Sequence, residues 1–263
     1  MKIYLIRHAE SEYNALTIRV GNELGINPEN YHLFTYTKVI KDQNLVDAPI
    51  TPFGVEQCKA LRDKHHKTLD KIKVVIVSPM LRTLQTLRYV FDSCNTSHQR
   101  KFIIHPGIRE RWESQCDIPG KTLANKAEFS EMDFSLMKGL LEKHGHKWFV
   151  TAMFNPFKRE KLETYLSEIE DDDIECINDR VIDYMQDLLP EYVEDFKDFY
   201  QRIFEFKFWL KDFIELGGFK DGEIAIVGHS KVLTFLTGSN FGTDCFPTSF
   251  IRYKNCELAE FEV

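Results

Sequence analysis

The chain has 263 residues, of which 43% are hydrophobic and 29% charged, and it carries a net charge of −7. That length fits one large α/β domain or two small ones with a sizeable core, and the composition excludes a disordered or fibrous protein. The acidic balance excludes a surface built to track nucleic acid, so any phosphate site must be local.

Six cysteines, Cys58, Cys94, Cys116, Cys176, Cys245 and Cys256, are scattered without a Cys-x-x-Cys pair. They are expected as reduced thiols and not as a disulfide or zinc framework. From Met1 the chain reaches Arg7-His8 too soon for a signal peptide's apolar region, and no later stretch nears the roughly 18 apolar residues of a membrane span. The expected address is the cytoplasm, with no membrane partner.

In chain order, residues 2–6 alternate as a first strand that runs into the polar loop Arg7-His8-Ala9-Glu10-Ser11. Periodicity fades over 21–47 among Gly21, Gly25, Pro28 and several Asn, as in a long connection with short helical pieces. Thr51 caps and Pro52 starts a helix predicted to about Lys67. Val74–Val77 is an all-apolar β-branched run suited to a strand buried on both faces, followed at Ser78-Pro79 by a helix to about Phe91. Residues 101–105 form a further predicted strand, then Ile108-Arg109-Glu110.

From 117 to 195 the pattern turns to polar helical pieces broken by Pro119, Gly145, Pro156 and Pro190, which predicts an inserted helical cap within a single domain spanning 1–263. Residues 196–216 place Phe199, Ile203, Phe206 and Leu210 on one face of a core helix that stops at Gly217-Gly218. Glu223–Val227 is a strand leading through Gly228-His229-Ser230 into a helix, and 250–253 with 258–263 suggest an edge hairpin. The alternation predicts an α/β three-layer sandwich, with a mostly parallel central sheet flanked by helices.

Each buried strand ends in residues suited to phosphate: Arg7-His8, Ser78 with Arg82, and Gly228-His229. Open α/β sheets bind ligands beyond the carboxyl ends of their strands, so these distant segments are expected to converge. Arg7 and Arg82 supply planar forks for phosphate oxygens, and two guanidinium charges would keep His8 neutral and able to attack phosphorus. The leaving alkoxide needs a proton, for which Glu110 is the candidate, with Glu113 close by.

Leu5-Ile6-Arg7-His8-Ala9-Glu10-Ser11 with Asn14, Ile50-Thr51-Pro52-Phe53-Gly54 with Gln57, Ser78–Thr86, Ile108-Arg109-Glu110 and Val227-Gly228-His229-Ser230 occur in one order along the chain. In that order they resemble the motifs of the histidine phosphatase superfamily, also called phosphoglycerate mutase-like. The resemblance implies that His8 is a phosphohistidine nucleophile, that Arg7, Asn14, Arg82 and His229 bind the phosphoryl group, and that Glu110 is the proton donor. It implies a phosphatase acting on a small phosphorylated substrate, or alternatively a phosphoprotein, without cofactor or metal.

Ala9 stands where the family more often has Gly, a mild change if that backbone position does not need positive φ. The stretch Arg111–Asp117 does not resemble the one that accompanies mutase activity, which ranks a phosphoglycerate mutase-type phosphotransferase second. A catalytically silent phospho-ligand or protein-binding module is the third reading. A serine-hydrolase elbow at Ser230 fails because Val232 stands where Gly is needed. Neither His65-His66 nor His144 with His146 has a Cys or carboxylate at ligand spacing, so no metal is expected. In the cap, Trp148, Lys158 and Arg159 are expected to pack or face water more than to grip substrate.

Overall fold

Four of the apolar runs become parallel strands of one sheet in the computed structural model, which describes residues 2–26, 43–91, 100–151, 155–169, 173–184, 194–216 and 222–261. These strands are β1 (Ile3–Arg7), β2 (Ile72–Val77), β3 (Lys101–Ile104) and β4 (Glu223–Gly228). Between them run the helices α1 (Glu12–Glu23), α2 (Pro52–Leu69), α3 (Leu81–Phe91), α4 (Thr122–Glu128), α5 (Ser135–His144), α6 (Trp148–Thr151), α7 (Pro156–Leu166), α8 (Ile174–Asp183) and α9 (Phe196–Glu215). After β4 come α10 (Ser230–Thr237), a small separate ribbon of β5 (Ser239–Phe241) and β6 (Pro247–Ser249), and β7 (Leu258–Phe261). Pro28, Cys94, Glu170–Asp172, Pro190, Gly217-Gly218 and the last two residues lie outside the described residues.

The sheet order is β3-β2-β4-β1-β7, with every pair parallel except β1 with β7. Successive strand residues divide between two apolar layers, as a pleat buried on both faces requires. Ile6, Val75, Val77 and Val227 pack against α2, α3 and α5 to α8, whose Trp148, Leu162 and Ile177 share the same apolar cluster. Leu5, Val74, Ile76 and Ile226 pack on the opposite face against α9 and α10. The α/β sandwich of three layers is therefore present.

The predicted terminal hairpin is not formed. Residues 258–261 do make an edge strand, but they pair with β1, and residues 250–253 carry no regular secondary structure. α1 starts sooner than the polarity of its loop suggests, because Ser11 and Asn14 close a reciprocal capping box.

α2 begins as predicted, with Thr51 Oγ1 accepting from the Gly54 amide at 2.9 Å and Pro52 in the first turn. Its start presses on the loop after β1, and a Cβ on Gly54 would lie 2.4 Å from the Glu10 carbonyl oxygen. Gly54→Ala is therefore expected to lower the unfolding free energy by about 1–3 kcal/mol. Exposed Gly139 in α5 has nothing within 4 Å of its would-be Cβ, and Gly139→Ala is expected to raise stability by about 0.4–1 kcal/mol. Urea unfolding of the two variants checks the contrast, and equal shifts would remove the close approach as a constraint.

Candidate active site

The order β2-β4-β1 sets three strand ends side by side, which brings together Ser78, His229 and His8 from distant parts of the chain. The His8 amide donates to the Gly228 carbonyl at 2.9 Å and the Ser78 amide to the Val227 carbonyl at 3.1 Å. The His8 and His229 rings lie 5.2 Å apart between centroids, tilted by 61°. His229 Nε2 is 2.8 Å from Ser78 Oγ. Both rings are buried.

His8 Nδ1 is 2.7 Å from the Ala9 carbonyl, which can only accept, so Nδ1 carries the proton and Nε2 keeps its lone pair. Burial holds the ring pKa well below its ordinary value, and the charges of Arg82 and Arg7 push the same way. His229 is lowered likewise, first by burial and then by Arg82. Ala9 is not among the described residues with positive φ, so the methyl group in place of Gly is accommodated.

Arg7 donates through Nη1 to the Tyr253 carbonyl at 2.8 Å, while its buried Nε has no partner among the described residues. Arg82 is buried on α3 and donates to the Cys116 carbonyl at 2.6 Å and to Asp117 Oδ1 at 3.0 Å. Buried Asp47 sets the start of that helix, its Oδ1 accepting from the Leu81 amide at 2.9 Å. Asn14 Oδ1 is committed to Ser11 and to Asn255 Nδ2, which leaves its own Nδ2 for other duty.

Glu110 is partly buried, and its oxygens accept from the Arg111 amide at 2.8 Å and the Lys231 amide at 3.3 Å. Burial raises its pKa against the opposing charge of Lys231, and the charge of Asp117 adds to the rise. Glu113 sits differently, paired with both Arg111 and Lys231. Of the cap residues singled out, Trp148 packs in the core with its Nε1 on Thr122, and Lys158 pairs with Asp195.

Several partners were not foreseen: Asp117 on Arg82, the Tyr253–Cys256 segment on Arg7 and His8, and the buried Arg109–Glu194–Arg202 cluster. Lys231, two residues past His229 at the start of α10, was likewise not foreseen.

The description "Histidine phosphatase superfamily (branch 1)" matches residues 35–128. Phosphoglycerate mutase-like protein 2 of Arabidopsis thaliana is 27% identical over 98% of this chain and 73% of its own. A second phosphoglycerate mutase-like protein of that plant is 26% identical over 97% of this chain and 82% of its own. The solved ecdysone phosphate phosphatase of Bombix mori covers all of this chain and 89% of its own at 17% identity, with a TM-score of 0.49.

His8 and His229 stay neutral when folded at pH values where the unfolded chain's imidazoles bind a proton. Below the ordinary histidine range the unfolded state then holds more protons, so stability falls as pH drops through about 6.5. Each ring contributes a slope of at most about 1.4 kcal/mol per pH unit. His8→Ala is expected to show a shallower loss between pH 7 and 5 than the parent chain in denaturant melts, and parallel curves would contradict a depressed His8.

Proposed function

We propose that this chain, whose residues 35–128 match the histidine phosphatase superfamily, hydrolyses phosphomonoesters through a covalent phosphohistidine on His8. The observation that carries this reading is the His8 tautomer: Nδ1 tied to the Ala9 carbonyl leaves Nε2 unprotonated, in a site where burial first, and then the charges of Arg82 and Arg7, hold the ring neutral. Nε2 attacks phosphorus in line with the ester oxygen, and the P–O bond to the leaving group breaks. Arg7, Arg82, Asn14 and His229 take up the charge on the phosphoryl oxygens.

Glu110 gives its proton to the departing alkoxide, then takes one from the water that attacks phosphohistidine, releasing inorganic phosphate and neutral His8. Two features favour Glu110 over Glu113: its pKa is raised by burial, and its oxygens accept from the Arg111 and Lys231 amides where Glu113 is paired with two cations. In this reading residues 1–263 form one catalytic domain in the cytoplasm, and helices within 117–195 select a small phosphorylated substrate.

The chain is expected to release phosphate from a panel of phosphomonoesters in EDTA, and His8→Ala to abolish it. Brief acid-free quenching with radiolabelled substrate should leave a base-stable label on His8. Activity that survives His8→Ala, or that needs a divalent metal, overturns the proposal. Glu110→Gln is expected to cost about 10²–10⁴-fold on alkyl phosphates and far less on p-nitrophenyl phosphate, whose phenolate leaves without help. Equal losses on both would remove Glu110 from the acid role. Return of the phosphoryl group to a second sugar-acid hydroxyl instead of water would favour the mutase reading.

A further inference from the structure

The sulfur of Cys256 lies 3.9 Å from that of Cys58 and donates its S–H to it. Cys58 is fully buried on the inner face of α2, and Cys256 is a partly exposed residue of the turn before β7. A disulfide needs its sulfurs at about 2.05 Å, so closing this pair brings the two sulfurs together by roughly 2 Å, through side-chain rotation together with settling of the turn toward α2. Cys256 sits at φ 55, a left-handed backbone that few residues with a Cβ adopt.

We propose that Cys58 and Cys256 form a reversible redox pair, closed by a low-molecular-weight peptide disulfide, and that closure acts on the segment that holds Arg7 and His8. Beside Cys256 lies a surface cavity of about 460 Å³ lined by Gln57, Lys64, His65, Lys254 and Asn255. It offers two lysines against the one carboxylate of Glu257 to an anionic disulfide, and it gives access to Cys256 while Cys58 stays covered. The order of steps follows. The Cys256 thiolate attacks one sulfur of RSSR and expels RS⁻, which takes up a proton. Cys58, after losing its own proton, attacks the Cys256 sulfur of the mixed disulfide and expels the second thiol. Two protein thiols and RSSR thus become one protein disulfide and two RSH. Its hydrogen bond to Cys58, together with burial, pushes the Cys256 thiol pKa up. Thiolate is therefore scarce near neutrality, and the exchange should quicken as pH rises.

The pair grips the site from two sides. The Cys256 amide donates to the carbonyls of Arg7 and His8 at 3.0 and 3.3 Å. Its neighbour Asn255 reaches the His8 carbonyl at 3.0 Å and Asn14 Oδ1 at 3.2 Å, and the Tyr253 carbonyl holds Arg7. On the other side Gln57, next to Cys58, accepts from the Glu10 amide at 2.8 Å. Drawing the turn toward α2 would move these anchors together.

The test treats the intact, reduced, folded chain with oxidised glutathione at pH 8.5 and maps its peptides without reduction. Expected are a Cys58–Cys256 cross-linked pair two hydrogens lighter than the dithiol, reversal by dithiothreitol, and an unchanged far-UV spectrum. Cys58→Ala should instead retain one glutathione on Cys256, and Cys256→Ala none at this pair. A parent chain that stops at the mixed disulfide, or remains a dithiol, overturns the proposal. The effect on the site rests on the phosphatase reading. Turnover of the oxidised chain is expected to fall several-fold and to recover with dithiothreitol, and equal turnover in both forms overturns the coupling. A reduced chain without phosphatase activity would sink that reading alone, because the peptide map still decides the pair.

Discussion

Two guanidinium groups and two uncharged imidazoles share the buried ends of three adjacent strands, and keeping that arrangement solvent-poor yet stable is the constraint on which the rest depends. A buried cation is costly unless it is answered by hydrogen bonds or opposite charge. Asp117 and the Cys116 carbonyl answer Arg82, and the Tyr253 carbonyl answers Arg7 in part, leaving its Nε without a partner among the described residues. The same charges disfavour protonation of both rings. Electrostatics that would be a liability in a core here hold two imidazoles in one protonation state.

The motif residues that do not line this cluster brace it. Thr86 Oγ1 accepts from the Ala9 amide at 3.0 Å, Gln57 from the Glu10 amide, and Gln85 from the Ile50 amide at 2.9 Å, so the starts of α2 and α3 clasp the loop after β1. The segment carrying Glu110 lacks regular structure beyond a short 3₁₀ turn and is held otherwise. Arg202 donates to the carbonyls of Gly107 and Arg109 at 2.8 and 2.9 Å, and Glu194 gathers Arg109, Arg202 and the Trp112 amide. The ion cluster fixes where Glu110 stands because every backbone carbonyl from 109 to 110 ends on one of its guanidinium groups.

What the sequence made legible were features with a local cause. β-branched runs read as doubly buried strands, Thr51-Pro52 as a helix start, and the three strand ends as one convergence, because β2, β4 and β1 are neighbours in the sheet. The unread features depend on chain segments far apart. Asp117 meets Arg82 across 35 residues and Tyr253 meets Arg7 across 246, and neither pairing leaves a periodicity behind. The expected terminal hairpin failed for a related reason: the free edge of β1 was the better partner for 258–261 than any nearby strand. α1 was hidden by its polar composition, since its start rests on a capping box and not on an apolar stripe.

Residue 117 marks where the helical segment was expected to begin, yet its carboxylate is bonded to the arginine of the strand-end cluster. The segment boundary and the site are therefore one place. Under the phosphatase reading, a phosphoryl group meets an Arg82 whose two terminal nitrogens each already give one N–H, to Asp117 and to the Cys116 carbonyl. It must use the remaining N–H groups or displace the carboxylate. A dianionic phosphoryl group competes for that fork better than a singly charged anion does, because attraction to a buried cation scales with charge while the carboxylate offers only one. A rival of equal charge gains nothing by exchange, so on that reading the internal carboxylate would tune the site toward doubly charged ligands, while it also keeps the arginine from being buried alone.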